Sequence, residues 1–270
     1  MSSSSKKNLS GCGCALLAVA LIYGSIVDWI DGDDAPPATT VASSTAATTT
    51  PTSPSLSPEN KPAPEPTSEL EQAVPLEQAG GYYQLLSELE VKGRAPKTGY
   101  DRDEFGQRWS DDVTVEFGHD GCDTRNNILT RDLTAIEFRP GTHGCVVESG
   151  YLADPYSGAG IDFHRGRDTS SAVHIDHVVA LSDAWQKGAQ FWDPATRENF
   201  ANDPRNLLAV DGGLNMQKGD GDAATWLPPN AAFRCDYAQR IIEVKHAYGV
   251  WVTPAEQRAL QRQLDSCQAP

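Results

Sequence analysis

Apolar and polar positions divide the chain into three regimes. Residues 11–27, GCGCALLAVALIYGSIV, are almost wholly apolar, with Lys6 and Lys7 before them and Asp28, Asp31, Asp33 and Asp34 after. A run of this length is near the lower limit for spanning a bilayer core of roughly 30 Å. The lysines in front and the acids behind put the N-terminus on the cytoplasmic side. No small-x-small cleavage site follows, and the lipobox-like Leu9-Ser10-Gly11-Cys12 precedes the run rather than ending it. An uncleaved membrane anchor over residues 1–34 is therefore expected in preference to a cleaved signal or an acylated cysteine. Residues 35–79 are rich in Pro, Thr, Ser and Ala. Such a segment cannot bury enough apolar surface to offset its ordering entropy, so it is expected to be a disordered, extended stalk.

From about residue 80 the pattern becomes that of a folded domain. Tyr82, Leu85, Leu86 and Leu89 have helical spacing, and TRNNILTRDL (124–133) reads as a short helix capped by Asp123 or Thr124. TAIEFRP (134–140) and CVVESGYL (145–152) read as a hairpin around Gly141-Thr142-His143-Gly144. VHIDHVVAL (173–181) starts strand-like and enters a helix, NLLAVD (206–211) is a short apolar strand, and GGLNMQKGD (212–220) turns into a helix. Two closing helices are expected over 231–247 and 254–266, the second starting at Pro254. Strands and helices intermix without βαβ repetition, which predicts an α+β fold for residues 80–270.

Charge and cysteines change this picture in two ways. The chain carries 37 acidic and 22 basic residues, a formal net charge of −15. That excludes a general nucleic-acid-binding surface and requires any polyanion site to make its positive charge locally. Cys122, Cys145, Cys235 and Cys267 include no CxxC pair, so a structural zinc site is not expected. In an exported domain they predict two disulfides. Three connectivities are possible; the sequence-local pairing, Cys122–Cys145 and Cys235–Cys267, is preferred.

The candidate chemistry lies between residues 174 and 218. Asp176-His177 ends one predicted strand, Asn206 begins the next, and Asn215 and Lys218 lie on the helix that follows. A strand, a second strand and a helix can bring these groups to one point. Phosphodiester hydrolysis needs an activated water and stabilisation of charge on the phosphate and the leaving oxygen. Histidine, with an ordinary pKa near ~6.5, is the side chain suited to take a proton from water at neutral pH. His177 has that role in this reading, with Asn206 orienting its imidazole. Asp176 and Asn215 offer oxygen donors for a divalent cation, Mg²⁺ or Mn²⁺. Lys218 is placed for a phosphate, and His174, two residues before Asp176, has a supporting role.

IDHVVALSDAW followed by FANDPRNLLAVDGGLNMQKGD resembles the HNH endonuclease superfamily, specifically the GmrSD-type C-terminal HNH domain of exported actinobacterial proteins. The likeness extends to CDTRNNILTRDL, DPYSG and WLPPN, and covers most of residues 95–267. It implies a ββα-metal (His-Me finger) core with added helices, and metal-dependent cleavage of DNA, with RNA as a further substrate. It also implies a phosphate contact for Arg125. The third position of the motif, often His, is Asn215 here. The expected product of this sequence is a membrane-tethered nuclease with its catalytic domain outside the cell and no protein partner. The alternative is a non-catalytic surface-displayed binding module on a nuclease-derived fold.

Overall fold

The computed structural model describes residues 76–267. The expected anchor, and the expected stalk up to residue 75, lie outside the described residues. The described helices are α1 (Leu76–Glu88), α2 (Thr124–Asp132), α3 (Leu181–Trp185), α4 (Pro194–Asn202), α5 (Gly212–Lys218), α6 (Arg234–Tyr248) and α7 (Pro254–Ser266). The strands are β1 (Leu133–Phe138), β2 (Val147–Ala153), β3 (Gly160–His164), β4 (Val173–His177) and β5 (Leu207–Asp211). β1, β2 and β3 form one antiparallel sheet, and β4 and β5 pair antiparallel as a second. The class is mixed α+β, as expected. No described helix is long and apolar enough to cross a membrane.

The β4–β5 ribbon lies between two cores, and the period-2 alternation of its strands decides which side chain enters which. Val173, Ile175, Leu207 and Ala209 pack with Ile128, Leu129, Val147 and Phe163 on the side of the three-stranded sheet. Leu208 and Val210 pack with Tyr156, Tyr237, Ile241 and Leu260 on the side of the helices. Both faces are covered, so NLLAVD reads as a continuous apolar run rather than an alternating one. Two elements have little sequence signal. β3 is five residues long and buries only Phe163. α4 has no strong apolar stripe, yet its start is marked: the Asp193 side chain accepts from Thr196 N, and Pro194 follows it.

Both expected disulfides are present, Cys122–Cys145 with Cα atoms 5.2 Å apart and Cys235–Cys267 with 5.4 Å. The first fastens the start of α2 to the β1–β2 connection, and the second joins the start of α6 to the end of α7.

The helical half is organised around buried charge. Lys187 Nζ lies 2.7 Å from Asp183 Oδ1, 2.8 Å from Asp222 Oδ2 and 2.7 Å from Glu256 Oε2. Lys245 Nζ lies 2.7 Å from Glu256 Oε1 and 3.2 Å from Asp183 Oδ2. Arg94 reaches Asp183 and Asp222, both at 2.8 Å. Three cations thus face three anions. Burial disfavours the charged form of Lys245, but Glu256 and Asp183 outweigh it and raise its pKa. Burial likewise opposes the Asp183 carboxylate, while Lys245, Lys187 and Arg94 hold its pKa down. Glu256 also completes the capping box of α7 with Thr253. Removing one partner of such a cluster strands the others in a medium that cannot solvate them. Lys187→Met is expected to destabilise the fold by about 3–5 kcal/mol. Arg139→Gln, which breaks the exposed pair with Glu148, is expected to cost less than about 1 kcal/mol. Urea unfolding of both variants measures the contrast, and similar losses would remove the cluster from this role.

Candidate functional site at the end of the β4–β5 ribbon

Adjacent residues of β4 face opposite ways, so the predicted site is built on two sides of the ribbon. His174 and Asp176 project toward α5. Asp211 caps α5 by accepting from Leu214 N at 2.7 Å. Gly212 then lets the helix backbone approach β4, because a Cβ there would sit 2.1 Å from Ser171 O and about 3.0 Å from the His174 ring. Asn215 and Lys218, three apart, share the helix face turned to β4. The Asn215 amide nitrogen lies 3.4 Å from His174 Nδ1. Lys218 Nζ donates to Asp176 Oδ1 at 2.8 Å, to Asp176 Oδ2 at 2.7 Å and to His177 O at 2.7 Å. Tyr156 Oη donates to the same Oδ2 at 2.5 Å. The pair is enclosed, with Lys218 3 % and Asp176 4 % exposed. Burial and the Asp176 charge push the Tyr156 phenol well above its usual range, so it remains a donor.

His177 projects to the other side. Its Nε2 is 2.9 Å from the Ala201 carbonyl at the end of α4. A carbonyl can only accept, so the proton is on Nε2 and Nδ1 keeps its lone pair. Trp109 stacks on the imidazole, with ring centroids 6.0 Å apart and planes 13° from parallel. Trp109 holds a left-handed backbone, φ 54°, a conformation retained only where the surroundings enforce it. Burial, and next the Arg102 charge, lower the His177 pKa from 6.5 to about 3. The imidazole is therefore neutral at pH 7. It borders a small pocket lined also by Arg102, Gln107, Arg108, Trp109 and Asn202, with a cavity volume of ≈ 20 Å³. That is room for one water.

The sequence profile of the GmrSD restriction endonucleases, C-terminal domain, matches residues 123–263, just over half of the chain. The chain belongs to this family. An "uncharacterized secreted protein" of Arthroderma benhamiae is 38 % identical over 185 residues, which are 68 % of this chain and 83 % of the relative. No solved structure matches significantly.

Within this GmrSD-type domain, several expected contacts differ from those formed. Asn206 does not hydrogen-bond the His177 ring. Its Oδ1 accepts from Val179 N at 2.8 Å, and its Nδ2 donates to Val179 O at 3.3 Å and Phe200 O at 3.4 Å. It fixes the chain just after His177 and the end of α4 instead, and so positions the ring through Ala201. Lys218, expected at a phosphate, is buried and donates to Asp176 and to His177 O. An ammonium excluded from water needs a fixed anion, and Asp176 is the one within reach. Arg125 is 7 % exposed within α2 and does not line the His177 pocket. Asp176 and Asn215 share the α5 side of β4, as expected, while His177 lies across the ribbon from them. Local spacing assigns no role to Tyr156, Arg102, Arg108 or Trp109. Only Tyr156, within DPYSG, had a signal that could have found it.

Among the described residues no group of three or more His, Cys, Asp or Glu side chains is arranged to hold a metal. The donor types at the α5 side nevertheless suit a divalent ion. A carboxylate has about four lone-pair sites. Lys218 and Tyr156 use two on Asp176 Oδ2, and Lys218 uses one on Oδ1. One remains on Oδ1. Asn215 uses its amide nitrogen toward His174, which leaves its carbonyl oxygen as a second donor.

The His177 pKa also sets a stability dependence. It is depressed in the fold, about 3 against 6.5 for the exposed group. Stability from the neutral ring is complete above pH 6.5 and is lost as pH falls from 6.5 toward 3, at up to ~1.4 kcal/mol for each pH step of one. In metal-free buffer, wild type is therefore expected to lose more stability across that window than His177→Gln. Parallel curves in denaturant titrations would mean that the imidazole is protonated in the fold.

Proposed function

We propose that this chain is a metal-dependent endonuclease that hydrolyses phosphodiester bonds of DNA, and of RNA as a secondary substrate, outside the cell membrane. The observation that carries this reading is the neutral imidazole of His177, its Nε2 proton fixed on Ala201 O, beside a pocket with room for one water. In this reading Nδ1 accepts the proton of the attacking water. A base with a pKa of about 3 is weak. The depression comes from burial and then from the Arg102 charge, and a bound phosphate offsets that charge. Substrate arrival then raises the basicity of His177 where it is needed.

Asp176 and Asn215 would hold the cation, Mg²⁺ or Mn²⁺, with His174 adjacent. The ion would stabilise negative charge on the phosphate and on the leaving oxygen. Lys218 and Tyr156 fix the Asp176 carboxylate in direction. Asn206 holds the backbone after His177, which keeps the ring against its pocket. The Arthroderma relative is described as secreted, and the two disulfides suit an oxidising compartment. Both support an extracellular catalytic domain; the tether through residues 1–34 rests on the apolar run and its flanking charges alone, and the stalk would run from residue 35 to the start of α1.

The grip of Lys218 on Asp176 favours one second reading, a non-catalytic surface module on this fold. Nicking of supercoiled plasmid with Mg²⁺ or Mn²⁺ separates the two. Wild type is expected to nick. His177→Ala is expected to lose at least about 100-fold, the scale of general-base catalysis, and EDTA to abolish activity. No nicking in any divalent metal would favour the binding module, and activity surviving EDTA would remove the metal.

A further inference from the structure

Residues 100–122 precede the matched region 123–263, yet part of this segment forms one wall of the His177 pocket. It is held firmly. Asp101 caps a short 3-10 turn, Arg102–Phe105, and Phe105 is buried against Phe200 and Trp185. Arg197 Nε donates to Glu104 O at 2.7 Å, and Gln107 N donates to Glu198 at 3.3 Å. Gly106, φ 78°, passes so close to α4 that a Cβ would sit 2.9 Å from Glu198 Cβ. Thr124 Oγ1 at the start of α2 holds Ser110 O at 2.8 Å. These contacts fix two arginines at the mouth of the pocket, Arg102 half-buried and Arg108 exposed. Burial, and after it the neighbouring Arg108 charge, lower the Arg102 pKa. Arg102 and Arg108 thus lie together beside the His177 ring; their charges repel each other, Asp103 and Asp176 offset Arg102 in part, and an anion shared between the two guanidinium groups would lower the repulsion further.

We infer that Arg102 and Arg108 bind the non-bridging oxygens of the nucleic-acid backbone phosphate presented to His177. This rests on the nuclease reading and assigns the phosphate contact at the pocket to the upstream segment rather than to Lys218, which is bound to Asp176, or to Arg125, which does not line the pocket. Guanidinium groups bind phosphate through paired N–H donors, so a lysine would conserve the charge but lose the fork.

The test uses the full-length chain, measuring binding of a fluorescein-labelled DNA duplex in EDTA across salt concentration and, in parallel, kcat/KM for plasmid nicking across the same salts. A lost phosphate contact lowers the slope of log K against log salt by about 0.9. Arg102→Gln and Arg108→Gln are each expected to show that decrease and to weaken binding roughly tenfold, with KM rising more than kcat falls. Arg108→Lys is expected to keep the slope while losing affinity. Arg262→Gln, at an exposed position of α7, is expected to change neither. Arg108 is exposed, so its variant tests the inference even where Arg102→Gln folds poorly. If wild type binds and nicks while both glutamine variants keep its salt slopes in both measurements, the arginine assignment is wrong and the nuclease reading stands. If wild type binds with the expected arginine dependence but never nicks, the nuclease reading fails and the anion site survives. Absence of both binding and nicking in wild type overturns both.

Discussion

Lys187 is fully enclosed, and the rest of the helical half is arranged to make that tolerable. Its ammonium touches carboxylates from α3, from the loop after α5 and from α7, while Lys245 of α6 and Arg94 close the cluster. Three positive and three negative charges cancel, so no net charge is left in the low-dielectric interior. The cluster also sets where the site can form. Asp222 is held by Lys187 and Arg94, and Asp220 receives Ser182 Oγ and Lys97. The chain leaving α5 is thus anchored on both sides just past Lys218, and α5 has no freedom to rotate its Asn215–Lys218 face away from β4.

The ribbon end carries the consequence. Asp176 and His177 are neighbours in sequence but meet different surroundings, because a strand sends consecutive side chains to opposite faces. Asp176 meets an ammonium and a phenol, which fix its direction. His177 meets an indole and a carbonyl, and its burial, with the Arg102 charge next, keeps it neutral even though the Ala201 carbonyl favours the protonated ring. Arg102 and Arg108 both line this pocket in a chain of net charge −15. The same arginine that weakens His177 as a base in the free protein is the group a phosphate would neutralise.

Much of this was legible in the residues. The helical spacing over Tyr82–Leu89, the helices near 124–132, 234–248 and 254–266, the β1–β2 hairpin and the β4 and β5 strands follow from periodicity and caps, whereas α1 begins at Leu76, inside the segment expected as stalk. β3 and α4 were not legible, since one buried Phe163 and an unstriped helix carry little periodic signal. Asp176, His177, Asn206, Asn215 and Lys218, singled out by spacing, lie around the end of the β4–β5 ribbon, but their contacts were not legible: Asn206 holds Val179 rather than the imidazole, and Lys218 holds Asp176 rather than standing open to a phosphate.

By itself the sequence determined the α+β class and the identity of the chemical groups, because these depend on local spacing and on side-chain type; it favoured the local cysteine pairing, which the tertiary structure decided. Only the tertiary structure decided which face of the ribbon each group occupies, that Lys218 is buried, and that Arg102, Arg108 and Trp109 join His177. Those outcomes depend on contacts between segments as far apart as residues 102 and 201, and on which charges lose their water when the two cores close. Local pattern carries neither kind of information.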